Sequence, residues 1–126
     1  MSNATQVWFV TGASKGLGLT LVRCLLAQGR KIAATSRTRE ALESTVSSET
    51  PNFLPLQVDL SDEESVAEAI KRTVAKFGRI DVVVNNAGYG QQGTFEGLSD
   101  EEFRKSFEVN VFAPLNVLRH CLPYLI

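Results

Sequence analysis

The chain is poor in the residues that build metal sites and disulfide frameworks. Its 126 residues include two cysteines and one histidine. Cys24, Cys121 and His120 lie in apolar helical patterns, without the spacing of a zinc site or of a disulfide scaffold. We therefore interpret all three as buried structural residues and expect neither a metal ion nor a disulfide.

Long apolar runs and an excess of one charge are also missing. No stretch approaches the roughly 20 apolar residues that span a bilayer, and the N-terminus lacks the basic and apolar regions of a signal peptide. Thirteen basic and 14 acidic side chains give a net charge of -1, so no overall field attracts nucleic acid or an anionic membrane. We expect one cytoplasmic domain over residues 1–126. Hydrophobic residues make up 44% of the chain, which is enough to form a sizeable core.

The most informative segment present is a glycine-rich turn, Thr11 to Gly18, which follows the apolar run Val7 to Val10 and opens a helical pattern. Its three glycines allow positive φ values and a close approach of backbone to a ligand, and the helix start presents free N–H groups to an anion. The spacing G-x-x-x-G-x-G differs from G-x-G-x-x-G, and Leu19 after Gly18 excludes a P-loop. We predict an anion-binding turn; the alternative is a turn that only needs small residues.

Strand and helix patterns alternate along the chain. Short runs that are apolar on both faces, as in a parallel sheet, cover Val7 to Val10, Ile32 to Thr35, Phe53 to Val58 and Ile80 to Val84. Helices are predicted from Leu17, Leu21 and Leu25 up to Gly29, over residues 39–47 after Thr38, from a capping box at Ser61 to Gly78, and from Ser99.

This alternation predicts a Rossmann-type α/β fold: a doubly wound parallel sheet of four βα units, with ligands beyond the carboxyl ends of the strands. Each predicted strand end carries small or polar residues, at Thr11-Gly12, Ser36-Arg37, Asp59-Leu60 and Asn85 to Gly88. We expect these four ends to share one rim.

Two of the strand ends carry motifs of a known family. Thr11 to Gly18 matches T-G-x-x-x-G-x-G and Asn85 to Gly88 matches N-N-A-G, so essentially the whole chain resembles the short-chain dehydrogenase/reductase family. The resemblance implies an oxidoreductase that transfers a hydride between nicotinamide and an alcohol or carbonyl substrate. It implies that Asp59 contacts the adenine. The residues assigned to cofactor binding are Thr11, Gly12, Ser14, Lys15, Gly16, Leu17, Gly18, Ser36, Arg37, Asp59, Leu60, Asn86, Ala87 and Gly88.

The second strand end predicts which cofactor is preferred. An acidic residue there would bind the ribose 2′-OH of NAD, but this chain has Ser36 and Arg37, and Lys15 lies in the glycine turn. Two cations suit the 2′-phosphate of NADP, so we predict NADP (NADPH) over NAD. The alternative is that both cations are solvated surface charges.

Asn110 is the predicted catalytic residue. It shares a helical face with Phe103, Phe107 and Val117, and Pro114 four residues later has no N–H for the Asn110 carbonyl. Such a carbonyl suits an ordered water. The family resemblance implies that this water links a catalytic Lys to solvent in a proton relay. The alternative is a kinked helix whose Asn bonds to a neighbouring strand.

The family's catalytic Ser and Tyr-x-x-x-Lys are missing from the sequence, since Tyr89 is followed four places on by Gly93 and Tyr124 lies two residues from the last one. We therefore expect an N-terminal, cofactor-binding half, truncated relative to the full family fold and inactive by itself. The bare strand at residues 80–84 and the apolar final helix predict a marginal or homo-oligomeric chain. The alternatives are a non-catalytic dinucleotide-binding module or sensor, or a gene fragment without a stable fold. The sequence does not specify the substrate.

Overall fold

The computed structural model describes residues 6–14, 16–38, 40–42, 50–86 and 97–125. In chain order the elements are β1 (Val7–Val10), α1 (Gly16–Ala27), β2 (Lys31–Ser36), β3 (Phe53–Gln57), α2 (Glu63–Phe77), β4 (Val82–Val84), α3 (Asp100–Phe107), a π-helix (Glu108–Phe112) and α4 (Ala113–Leu125). Residues 40–42 are helical, and the rest of the helix predicted over 39–47 lies outside the described residues.

The four strands form one parallel sheet in the order β3-β2-β1-β4. Successive β1 side chains point to opposite faces, as the strand period of two requires. Phe9 belongs to a core with α2 and α4, whereas Val10 belongs to a second core with α1. Helices therefore cover both faces of the sheet, which confirms the doubly wound α/β fold.

The last strand is shorter than predicted. It begins at Val82 rather than at Ile80. The Asp81 carboxylate Oδ2 accepts the Val7 N–H at 2.8 Å, and Arg79 Nε donates to the same carboxylate at 2.9 Å. A side chain thus takes the place of a backbone acceptor at this end of the sheet, and the strand starts two residues later than predicted.

The predicted apolar stripe of α1 is wrong at its first position. The buried residues of this helix are Gly18, Val22 and Leu25, whereas the Leu17 side chain is 83% exposed. Gly18, which has no side chain, occupies the buried position nearest the sheet, so Leu17 lies beyond the packed face. The helix ends at Ala27. Gly29, which the sequence predicts as its stop, has a φ of +79°.

The predicted capping box at Ser61 is also wrong. Asp62 caps α2, because its carboxylate accepts the Glu64 N–H at 3.0 Å. The Ser61 hydroxyl instead donates to Asp59 Oδ1 at 2.6 Å, so a stronger, charged acceptor has captured it. Gly78 ends the helix as predicted, with a φ of +82°.

The Ser99 capping box is confirmed. The Ser99 hydroxyl accepts the Glu102 N–H at 3.1 Å, and the Glu102 carboxylate accepts the Ser99 N–H at 3.3 Å. This cap fixes the start of α3, which continues through the π-helix into α4.

Two of the three predicted structural residues are less buried than expected. Cys121 is fully buried, and burial raises the pKa of its thiol to about 12. Cys24 is exposed on α1, because it lies on the face turned away from the sheet. His120 is partly exposed and its Nε2 lies 3.1 Å from Glu63 Oε1.

Among the described residues, no group of three or more His, Cys, Asp or Glu side chains is arranged to hold a metal ion. None of the described helices is both long enough and apolar enough to cross a membrane.

Candidate functional site

Hydrogen bonds join the carboxyl ends of β2, β1 and β4. The Thr11 N–H donates to the Val84 carbonyl and the Asn86 N–H donates to the Thr11 hydroxyl, at 3.0 and 3.1 Å. On the other side, the Ala13 N–H donates to the Thr35 carbonyl at 3.0 Å. Thr11 is 1% exposed, so it ties β1 to β4 from a buried position rather than from the surface.

The glycine turn lies against the end of β4. Asn86 Nδ2 donates to the Gly12 carbonyl at 3.0 Å. A Cβ at Gly18 would lie 2.5 Å from that same carbonyl oxygen and 2.6 Å from Asn86 Nδ2, which is closer than real contacts allow. Gly12 and Gly16 have φ values of +64° and +63°. The turn therefore needs glycine at Gly12 and Gly16 for its backbone conformation and at Gly18 for space.

The turn leads directly into the N-terminus of α1. The first turn of this helix contains no acidic side chain that would compete for its free N–H groups. A Cβ at Gly16 would meet nothing within 4 Å, so the approach to these groups is open. The helix start is therefore accessible, and anion binding there stays a prediction.

All four strand ends border one open groove of about 1080 Å³, which we call the carboxyl-end groove. The four ends thus share a rim, as the topology predicts. The groove is lined by Gly12, Ser14, Gly16, Leu17, Thr35, Ser36, Arg37, Thr38, Ala41, Gln57, Val58, Asp59, Leu60, Ser61, Asn86, Lys105, Glu108, Val109 and Ala113.

Most of the predicted cofactor-binding residues lie along this groove. Thr11 and Gly18 are buried and support the glycine turn instead of lining the groove. Lys15, Ala87 and Gly88 lie outside the described residues.

The sequence analysis missed the wall that α3, the π-helix and the start of α4 contribute. Lys105, Val109 and Ala113 are spaced four residues apart and all line the groove. That spacing was visible in the sequence, but it indicates a face and not what the face borders.

Asp59 is held as an anion at the end of β3. Its Oδ1 accepts the Ser61 hydroxyl at 2.6 Å and the Ser61 N–H at 3.0 Å. These bonds, the hydroxyl first, lower the pKa of Asp59; partial desolvation opposes them and the charge of Arg37 adds to the lowering. The carboxylate is therefore a hydrogen-bond acceptor at neutral pH.

Asn110 lies in the π-helix and not in the apolar surroundings that were predicted for it. The residue is exposed, and its Nδ2 donates to the Ser106 hydroxyl at 3.1 Å. Phe107, which was expected on the same buried face, is 57% exposed. The extra residue of the π turn rotates the following helix, so the i, i+3, i+7 face does not continue through it.

The π-helix also affects the carbonyls that precede Pro114. The Ala113 N–H donates to the Glu108 carbonyl, five residues back. The Val109 carbonyl would take its i+5 bond from Pro114, which has no N–H, and its i+4 donor Ala113 is already used. Pro114 is also the i+4 residue of Asn110, so the donor that the sequence predicts to be missing at the Asn110 carbonyl stays a prediction.

A family model described as short chain dehydrogenase matches residues 6–126. The chain belongs to this family. The curated protein Oxidoreductase BOA17 of Botryotinia fuckeliana (strain B05.10) is 37% identical over 122 residues, which cover 96% of this chain and 44% of that protein. This short-chain dehydrogenase chain thus spans less than half the length of that relative.

Solved structures show the same fold. An alcohol dehydrogenase from the archaeon Thermococcus sibiricus, complexed with 5-hydroxy-NADP, has a TM-score of 0.87 and 35% identity, over 95% of this chain and 53% of that one. A 3-ketoacyl-(acyl-carrier-protein) reductase from Brucella melitensis, complexed with NADH, has a TM-score of 0.88 and 29% identity, over 94% and 50%. This chain therefore shares its fold with both proteins, and their two complexes contain different nicotinamide dinucleotides.

Proposed function

We propose that residues 1–126 form the NAD(P)-binding domain of an NADP-dependent oxidoreductase that moves a hydride between nicotinamide and an alcohol or carbonyl substrate. The observation that carries the proposal is the carboxyl-end groove, where the glycine turn, the start of α1 and the ends of all four strands meet. Membership of the short-chain dehydrogenase family supports the same chemistry.

The residues of the groove fit a dinucleotide. The open N-terminus of α1 beyond Gly16 suits the diphosphate, because its N–H groups have no acidic competitor in the first turn. The Asp59 carboxylate suits the amino group of the adenine, and Asn86 holds the turn in place through the Gly12 carbonyl. When bound, the nicotinamide cofactor supplies or accepts the hydride.

NADP is the cofactor that the end of β2 favours. Ser36 and Arg37 border the groove there, and no acidic side chain stands at residues 36–38 to bind a 2′-hydroxyl. A guanidinium at this place favours a 2′-phosphate, because charge-assisted hydrogen bonds are the stronger ones. Lys15, which lies outside the described residues, is proposed as the second cation.

Cofactor affinities test this proposal. We expect NADPH to bind more tightly than NADH, and Arg37→Ala to weaken NADPH binding about tenfold, since a charge-assisted bond is worth roughly 1.5 to 3 kcal/mol. NADH binding should stay unchanged in that variant. Arg72→Ala removes an exposed cation of α2 as a control. Equal dissociation constants for the two cofactors, measured by titration calorimetry, would refute the NADP preference.

Asn110 is proposed as the catalytic residue of this chain, through an ordered water in a proton relay. Its position in a π-helix beside the groove wall supports this, since such single turns occur often at functional sites. The Val109 carbonyl, which lacks both helical donors, offers a second acceptor for the same water.

The second candidate is a non-catalytic dinucleotide-binding module or sensor. It is supported by the carboxyl-end groove alone, because cofactor binding there needs no positioned acid, whereas hydride transfer to a carbonyl does. Oxidation of NADPH in the presence of a panel of carbonyl compounds supports the enzyme, and binding without turnover supports the module. A cytoplasmic location, a small-molecule substrate and homo-oligomers remain part of the proposal.

A further inference from the structure

One wall of the carboxyl-end groove is made by residues to which the sequence motifs assign no role. Lys105 and Val109 lie one turn apart on the helical segment that runs from α3 into the π-helix. Asp59 and Leu60, from the loop after β3, line the same groove. The groove is therefore bordered both by this helical segment and by the loop that holds the anionic Asp59.

The chemistry of these residues suits a flat, partly apolar group. Leu60 and Val109 are half-buried and apolar, and Lys105 carries four methylenes before its charge. Glu108 follows Lys105 by three residues, the spacing at which opposite charges on a helix are neighbours, and it also lines the groove. Both side chains therefore border the space that a ligand in the groove would occupy.

The groove also contains an acceptor that selects for an amino group. Asp59 stays ionised because Ser61 donates two hydrogen bonds to its Oδ1. A purine that bears an amino group fits both the carboxylate and the apolar wall. Its amino edge can donate a hydrogen bond to Asp59, and its apolar face can lie against the side chains of the wall.

We infer that Lys105 is a further binding residue, whose side-chain stem covers the base of an adenine nucleotide in the carboxyl-end groove. The inference rests on the proposed dinucleotide function and adds a residue to it. Lys105 is exposed in this structure, so a base that lies against its stem would add buried apolar area.

Equilibrium binding of ADP, NADPH and reduced nicotinamide mononucleotide to the purified protein tests the inference. Lys105→Ala should weaken the binding of ADP and NADPH about threefold to tenfold, because several methylenes lose contact with the base. Binding of the mononucleotide, which has no adenine, should not change. Lys105→Met keeps the stem without the charge and should restore most of the affinity.

The neighbouring Arg104 is the matched control, because it pairs with Asp100 at 2.7 Å and does not line the groove. Arg104→Ala should therefore leave all three affinities unchanged. Unchanged ADP affinity in Lys105→Ala, or an equal loss in Lys105→Met, would overturn the inference. If the unmodified protein binds neither ADP nor NADPH, the proposed function itself fails, and the two failures are thereby distinguished.

Discussion

At the scale of single residues, glycines in this chain serve two different needs. Gly16 has a φ of +63° and open space where a side chain would stand, whereas Gly18 lies against the Gly12 carbonyl and Asn86 Nδ2. The first position requires a backbone conformation and the second requires the absence of a Cβ. The contact at Gly18 keeps the glycine turn against the end of β4, and so sets the shape of the groove.

Gly18→Ala should therefore damage both stability and binding. Its Cβ would lie 2.5 Å from a backbone oxygen, so the turn and the end of β4 must separate. Overpacking of this kind costs about 1–3 kcal/mol, and we expect a corresponding fall in the free energy of unfolding measured by urea denaturation. NADPH affinity should fall as well, because the N–H groups at the start of α1 move with the turn.

Gly29→Ala separates these two effects. Gly29 has a φ of +79° with nothing near its Cβ position, and it lies after α1, at the opposite end from the glycine turn. Its replacement should cost about 1–2 kcal/mol of stability through backbone strain alone and leave NADPH affinity unchanged. If the two variants lose equal affinity, the close contact at Gly18 does not shape the groove.

At the scale of the elements, the hydrophobic pattern predicted which segments are strands and helices. Where each element begins depends on which local hydrogen-bond partners its residues find, and the hydrophobic pattern does not contain that information. Apolar runs located β1 and the motif located the turn after it. The start of α2 was misplaced because the Ser61 hydroxyl has a closer anionic acceptor, Asp59, than a backbone N–H. The π-helix was missed because Pro114 indicates a break in the helix and not how the backbone resolves it.

The same reasoning explains how much of the site was predictable. Residues next to strand ends were found, since topology alone brings Gly12, Arg37, Asp59 and Asn86 to one rim. Lys105 was missed, because its approach depends on how the helices after β4 cross that rim. Such crossings are set by tertiary packing and leave no local signal in the sequence.

An ion pair holds α4 against the start of α2. Glu63 Oε1 accepts from Arg119 Nη1 at 2.7 Å and lies 3.1 Å from His120 Nε2. The side chain of Arg119, and then that of His120, lowers the pKa of Glu63 below its ordinary 4.5. A lowered pKa in the folded state means that the contribution to stability is present above pH 4.5 and is lost as the pH falls through the folded value.

Glu63→Gln should therefore reduce stability at neutral pH and leave it unchanged at strongly acidic pH. The loss should be small, because exposed ion pairs are weak and are screened by salt. Thermal unfolding followed from pH 7 to pH 3 measures the difference between the two proteins. Glu68→Gln, an exposed position on the same helix, is the control. A difference that does not shrink with acid would mean that Glu63 acts through packing and not through charge.

At the scale of the whole molecule, the two edges of the sheet differ. Among the described strands β3 and β4 are the edges. Pro55 lies in β3, where its missing N–H blocks further pairing on an edge strand. β4 consists of three valines and contains no proline that would block pairing. The edge at β4 is thus the one open to pairing with more chain.

The helical segment after β4 also presents apolar side chains to solvent. Val111, Leu115, Leu118 and Leu122 are between 37% and 50% exposed, and they follow one another at spacings of four, three and four. This is the spacing of a helical seam that packs against another helix. Contiguous apolar surface of this kind favours association.

We therefore predict that the chain self-associates, with the seam on α4 buried between two copies. Sedimentation velocity should show species larger than a monomer, and their fraction should rise with protein concentration. The double variant Leu118→Glu, Leu122→Glu should shift the protein to monomers, because burying an unpaired charge in an apolar interface is unfavourable. Ala75→Glu, at an exposed position of α2, is the control and should leave the distribution unchanged. A single monomeric species at every concentration, with a cooperative thermal transition, would show that the seam is tolerated in water and that the molecule is stable without a second copy.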